Sequence, residues 1–296
     1  MKKFISLMLV TVMSASLLAG CGSKQEAAPA AEAATEAAAD AALTTVTPGK
    51  LTIATSPDFA PYEFYSIGAD KNPVLAGFDI ALAGYIADYL GLELEIVTVD
   101  FDGVLSELST KSVDLGMAGL SPDPARESIM DFSDLYYMGG QSLVTVADKA
   151  DTITSLEIAN SPEYTVGAQT GSIQLDLANE NTPDASIVSL PKVTDIISEL
   201  IAGKEDAAFI ETDVAKCYQK NYPELTIVCD VPYDQEGSAV GVYKGNAELL
   251  AKVNEAIAAA IADGSMAQFI ADANELATGE KYEGLLDENS EVPEEE

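Results

Sequence analysis

Apolar residues follow two rhythms along this chain, and the rhythms alternate. Residues 51–55 read as a short strand, and residues 92–99 as another, with Glu93 and Glu95 on its polar side. Between them residues 80–90 repeat apolar positions at helical spacing and stop at Gly91. Residues 56–61 form a loop carrying Phe59, and a turn is expected around residues 68–72. Phe101-Asp102-Gly103 opens a helix over 104–109, and the apolar run 113–120 is strand-like. Further strands are predicted over 142–146, 164–168, 185–190, 207–210, 225–228 and 239–243. Helices are predicted over 173–179, 193–201, up to Asn221, 249–263 and 266–276. Such alternation predicts an α/β layer with a largely parallel sheet.

One stretch repeats. Ser106-Glu107-Leu108 precedes Asp114 by the same spacing as Ser198-Glu199-Leu200 precedes Asp206. Each copy reads as helix, turn, aspartate, short apolar strand and polar loop, so two lobes of like construction are expected. The first loop carries Arg126 and the second Glu211. Both lie beyond the carboxyl end of a strand, where open α/β sheets bind ligands.

Arg126 is the only arginine among 15 basic residues. Asp123 and Pro124 have the character of a cap and first position, which predicts a helix with Arg126 in its first turn. A helix dipole disfavours a cation there. A guanidinium in such a place suits a carboxylate or phosphate held by two parallel bonds. A surface arginine paired with Asp123, Glu127 or Asp131 is the alternative. If the lobes face each other, Arg126 and Glu211 together suit the two charges of an α-amino acid. Amides at Ser121 and at the Ser172 helix start would add anion donors. Phe59 and Phe101 either sandwich the ligand or belong to the core.

The composition narrows the chemistry. The formal charge of −34 argues against nucleic acid as a partner and against anionic lipid surfaces. With no histidine, histidine acid–base catalysis and histidine metal sites are excluded. No CxxC spacing is present, so neither a metal nor a cofactor is expected. Lys2 and Lys3, the apolar run 4–18 and Leu18-Ala19-Gly20-Cys21 have the form of a signal peptide ending in a lipobox, with Cys21 as the acylated residue. Residues 23–42 read as a tether. Cys217 and Cys229 would then meet an oxidising exterior, either bonded to each other or as two separate thiols.

Several separated motifs carry a resemblance. They are Ala60-Pro61-Tyr62-Glu63-Phe64, Gly77-Phe78-Asp79-Ile80, Gly119-Leu120-Ser121-Pro122-Asp123-Pro124-Ala125-Arg126, Asp131-Phe132-Ser133, Val166-Gly167-Ala168-Gln169-Thr170-Gly171 and Asp206-Ala207-Ala208. In this order the chain resembles extracellular solute-binding protein family 3, the amino-acid-binding proteins of ABC importers. The resemblance implies a two-lobed periplasmic-binding fold of type II, each lobe a mixed sheet flanked by helices, with a two-segment hinge. It implies that Arg126 clasps a ligand carboxylate, with Gly119, Ser121 and Ser172 adding contacts and Phe59 and Phe101 as aromatic walls. Glu211 falls where the family usually has an aspartate for the α-ammonium. Ser56 stands where relatives that bind cations often have an acid, a role Glu63 could take.

The expected organisation is a signal peptide at 1–20, a lipidated cysteine and tether at 21–47, lobe 1 at 48–139, lobe 2 at 140–238, a return to lobe 1 at 239–285 and an acidic tail at 286–296. The expected function is that of a non-enzymatic receptor on the outer face of the cytoplasmic membrane. Anchored through Cys21, it would pass a polar or cationic amino acid to an ABC permease and ATPase. An enzyme of the same fold, resembling a dehydratase, and a sensing module for a membrane receptor are the alternatives.

Overall fold

The first apolar run becomes β1 (Lys50–Thr55), buried on both faces inside a five-stranded sheet. It leads into an antiparallel flap of β2 (Asp58–Phe59), β3 (Glu63–Ile67) and β4 (Pro73–Ala76). Next come α1 (Phe78–Leu90), β5 (Glu93–Thr98), α2 (Phe101–Thr110), β6 (Leu115–Gly116) and β7 (Met130–Tyr137). The chain then enters a second sheet through β8 (Gln141–Val146). It continues with α3 (Leu156–Ala159), β9 (Thr165–Gln169), α4 (Ile173–Asn181), β10 (Ser186–Leu190), α5 (Val193–Ile201), β11 (Ala207–Glu211), α6 (Thr212–Asn221) and β12 (Leu225–Asp230). It returns to the first sheet as β13 (Ser238–Tyr243) and closes with α7 (Ala247–Ala262) and α8 (Ser265–Thr278). This computed structural model describes residues 43–67, 72–234 and 237–278. The expected signal peptide, Cys21, the expected tether to residue 42 and the expected acidic tail lie outside the described residues.

The sheets have orders β5-β1-β6-β13-β7 and β10-β9-β11-β8-β12. In each, a parallel trio built by βαβ crossovers is joined by two antiparallel strands. The sheets are therefore mixed. One of these strands in each sheet, β13 or β8, arrives by the chain's crossings between lobes, which helical periodicity does not report.

Helix patterning explains which faces are buried. Helix α5 turns Ile196, Ile197 and Leu200 onto Ala208 and Ile210 of its sheet. Leu249, Val253 and Ile257 of α7 join Leu51, Ile53 and Leu82 in one core. Burying each such side chain contributes ~1.5–3 kcal/mol. Among the described residues no helix is long and apolar enough to cross a membrane.

The helix predicted after Asp123 does not form. Asp123 does cap, accepting from the Ala125 amide at 2.8 Å, but only one 3-10 turn, Pro124–Arg126, follows. The chain then runs straight into β7, where Met130, Ser133 and Tyr136 face inward. Residues 130–137 pair with β13 instead, so the strand is chosen by a distant partner and not by local spacing. The dipole argument for Arg126 falls with that helix.

The cysteines are two separate thiols. Cys217, on α6, packs with Ala60, Phe64 and Ala277, and its thiol points to the Ala277 carbonyl oxygen at 3.7 Å. Cys229, on β12, packs against the second lobe's own core. They sit on different cores, so no bridge joins them.

Candidate functional site

The site grows from β6. Beyond its end the chain makes a turn at Gly119, which has φ +56°. A Cβ added there would lie 2.8 Å from the Phe59 ring, so this position suits glycine on conformation and on space. The Gly119 amide donates to Asp79 Oδ2 at 3.1 Å, and the Tyr136 hydroxyl donates to the same oxygen at 2.9 Å. Asp79 thereby fixes the loop from α1.

Arg126 is buried, with 7% of its surface exposed. Its guanidinium carbon lies 5.6 Å from the centroid of the Phe101 ring, a cation–π contact. Nη1 donates to the Ser121 carbonyl at 3.4 Å, and Nη2 crosses to the second lobe, donating to the Gly171 carbonyl at 3.1 Å. Burial lowers its pKa, opposed by Asp123 and Asp176. Only two of the five N–H groups are used by these bonds, and the side chain lines a small cavity with Phe59, Phe101, Gly119, Ser121, Gln169 and Gln174. That space is about 10 Å³, room for about one water. An amino acid enters only if the walls part.

Of the residues singled out in the sequence, Phe59, Phe101, Gly119, Ser121 and Arg126 come together around this cavity. Ser172 sits just behind it. It caps α4 by accepting from the Leu175 amide at 3.3 Å, and it donates to the Gln169 carbonyl at 2.7 Å. Glu211 is not brought to this cavity. Its Oε2 accepts the amides of Asp213 and Val214 at 2.7 and 2.8 Å, and its Oε1 accepts that of Gly140 at 3.2 Å. The carboxylate thus caps α6 at the crossing between lobes. Burial pushes its pKa up to about 7.

Glu63 is not available for a cationic ligand either. It is fully buried in β3 against Asp79. Apart from each other, Glu63 Oε1, Glu63 Oε2 and Asp79 Oδ1 have no hydrogen-bond partner among the described residues. Burial holds Glu63 well above the ordinary carboxyl range and Asp79 at about 6. A buried pair of this kind is accommodated with one proton between the two groups.

A larger cavity of about 670 Å³ is lined by Ser56, Asp58, Asp100, Asp102 and Asp195, with Lys192 as its one cation among the described residues. Asp58 precedes Phe59, and Asp100 and Asp102 bracket Phe101. Reading each aromatic as a wall points to these neighbours, but Asp195 and Lys192 come from the other lobe and carry no local signal. Gln169 and Gln174 were also missed. Gln169 reads only as part of a loop and of the Val166–Gly171 motif, and Gln174 as an ordinary helix position.

Two α/β lobes meeting at a cleft with a buried arginine define a two-lobed binding protein of the periplasmic type. The chain belongs to the bacterial extracellular solute-binding proteins, family 3, which match residues 51–272. It is similar to the arginine-binding extracellular protein ArtP of Bacillus subtilis, 32% identical over 212 residues, covering 70% of this chain and 79% of that protein. It is also similar to cyclohexadienyl dehydratase of Pseudomonas aeruginosa, 25% identical over 180 residues, covering 61% and 66%. Among solved structures, the amino acid ABC transporter substrate-binding protein AbpA of Streptococcus pneumoniae, bound to L-arginine, matches with TM-score 0.74 and 35% identity, covering 78% of this chain and 97% of that one.

Proposed function

We propose that this protein is an extracytoplasmic receptor that binds a free polar or cationic amino acid between its lobes and passes it to an ABC permease. The carrying observation is Arg126, buried beneath Phe101 and bonded across the cleft to Gly171. In this reading the ligand carboxylate takes the guanidinium, exchanging the carbonyl bonds for charge-assisted ones. The ligand stem passes between Phe59 and Phe101, and the side chain reaches the acidic cavity of Asp100, Asp102 and Asp195. That field favours a cation, and the arginine-binding relatives support it. The α-ammonium contact is made by groups other than a free Glu211 carboxylate, or by Glu211 after it leaves its cap. Cys21 carries the lipid anchor on the outer face of the cytoplasmic membrane, and lobes 48–139 with 239–285 and 140–238 close about a two-segment hinge.

Calorimetry of the full chain against the common amino acids tests this. Micromolar binding, about 8 kcal/mol, is expected for arginine or another polar or cationic amino acid. No binding to any of them defeats the reading. The dehydratase relative supports a second reading, catalysis at the same cleft. It requires an acid at the cavity, a place Asp58 holds. Conversion of a cyclic acid substrate, detected by product analysis, would replace the receptor with an enzyme.

A further inference from the structure

Arg126 is not the strongest link across the cleft. Asp58, on the flap strand β2, is buried and reaches the second lobe three times. Its Oδ2 accepts the amide of Val193, the first residue of α5, and the side-chain amide of Gln169 at 3.2 Å. Its carbonyl accepts the Tyr218 hydroxyl at 3.1 Å. Ser56, from its own lobe, donates to Oδ1 at 2.8 Å and holds the carboxylate in line. The acceptor therefore lies at a helix N-terminus, where an orphan amide meets a negative charge. Asp58 immediately precedes Phe59, so whatever fixes one places the other. None of these cross-lobe bonds survives separation of the lobes, and all of them form together.

We infer that Asp58 is the closure latch of this receptor, a positioning residue whose seat on the start of α5 sets the closed register of the cleft. The inference rests on the proposed receptor function. It assigns α5 a task that its apolar face alone does not: its buried face holds the second lobe together, and its N-terminus receives the first lobe.

The test is a double-mutant cycle on the full chain in mild detergent, with L-arginine as probe and affinity read by calorimetry. Asp58→Ala removes the acceptor. Val193→Pro removes the donor from the opposite lobe. Proline suits the first helical position, and Lys192 already has the extended backbone (φ −118°, ψ 139°) that precedes proline. Each single change is expected to weaken arginine binding at least about tenfold, because a buried partner is left unmade. The double variant is expected within about threefold of Asp58→Ala alone, since Asp58→Ala already breaks the bond that Val193→Pro removes. Asp58→Asn keeps an acceptor and is expected to bind arginine about tenfold more tightly than Asp58→Ala. Multiplying losses, or an Asp58→Ala chain that binds as tightly as the parent, overturn the latch.

Hydrogen exchange without added arginine separates the latch from the receptor reading. Residues 190–197 should exchange faster in Asp58→Ala than in Asp58→Asn while β1 stays protected, and equal exchange overturns the latch. If the unaltered chain binds no amino acid, the receptor reading fails and this exchange comparison alone decides the latch. If β1 also loses protection in Asp58→Ala, the fold has failed and Val193→Pro decides: retained arginine affinity overturns the latch.

Discussion

The two lobes begin alike and diverge at one step. In the first, Asp114 accepts the Thr52 amide of β1 at 2.9 Å while its own amide donates to the Thr52 carbonyl at 2.8 Å. In the second, Asp206 accepts the Thr165 amide of β9 at 2.7 Å while its own amide donates to the Thr165 carbonyl at 2.7 Å. Each aspartate closes the turn into a short central strand, β6 or β11, and the repeated Ser-Glu-Leu sits on the helix before it. Beyond those strands the lobes part. The first continues as an open loop through Gly119 and Ser121 into a single 3-10 turn that ends at Arg126. The second starts α6 at once, with Glu211 as its cap. A loop leaves its charged side chain free to face the cleft, whereas a helix start draws an acid onto its own amides. The same scaffold thus yields a cation lining the cleft in one lobe and a structural cap in the other.

That contrast can be broken most sharply at the two charged residues. Arg126→Ala is expected to cost at least ~2 kcal/mol of arginine binding, because the ligand carboxylate would be left unpaired in a closed cleft. Arg126→Lys should still lose more than about tenfold, since an ammonium lacks the fork; calorimetry reads both. Glu211→Ala should act chiefly on stability, by ~0.5–2 kcal/mol for a lost cap, seen in denaturant unfolding. If Glu211→Ala abolishes binding while unfolding is unchanged, the lobes are symmetric in function after all.

Acidity probes the buried carboxyls that accompany this asymmetry. Asp58 and Asp79 are pushed up to about 6, and Glu205 and Glu211 to about 7, each chiefly by burial. Folded values raised above the ordinary range mean that the stability these groups supply is complete below about pH 4 and lost as pH rises through 6 to 7. Self-repulsion at a formal charge of −34 acts in the same direction. The melting temperature should therefore fall between pH 5 and pH 8, by several degrees, at ~2–4 °C per kcal/mol. Glu211→Gln should flatten part of that slope. A melting temperature that rises over this range would contradict the burial of these groups.

The smallest effect concerns the thiols. With Cys217 and Cys229 on separate cores, reductant should leave the melting temperature unchanged, and a thiol reagent should reach Cys217 only after unfolding. Burial pushes Cys217 up to about 12, which leaves it inert in the folded chain.

Much of the fold was legible because it is local. The periodicity of residues 193–201 matches α5 residue for residue, and Gly91 ends α1 in the left-handed conformation. The flap of β2, β3 and β4 was only partly legible, since β2 is two residues long and draws its order from pairing with β3. The helix after Arg126 was misread because a cap signal is local while the choice between helix and strand there depends on β13, more than a hundred residues away. The small cavity was legible where its lining residues follow strands: Phe59, Phe101, Gly119, Ser121 and Arg126. It was not legible at Gln169, Gln174, Lys192 and Asp195, which reach the cleft only because the second lobe faces the first.

By itself the sequence determined the alternating elements, the repeated aspartate turn and the single arginine, all of which rest on short-range periodicity and residue chemistry. Only the tertiary structure decided what each charge touches. It seated Asp58 on α5, paired Glu63 with Asp79, turned Glu211 onto its own helix and kept the cysteines apart. Those outcomes depend on which surfaces are buried together, and burial sets both the cost of a charge and the partners able to offset it.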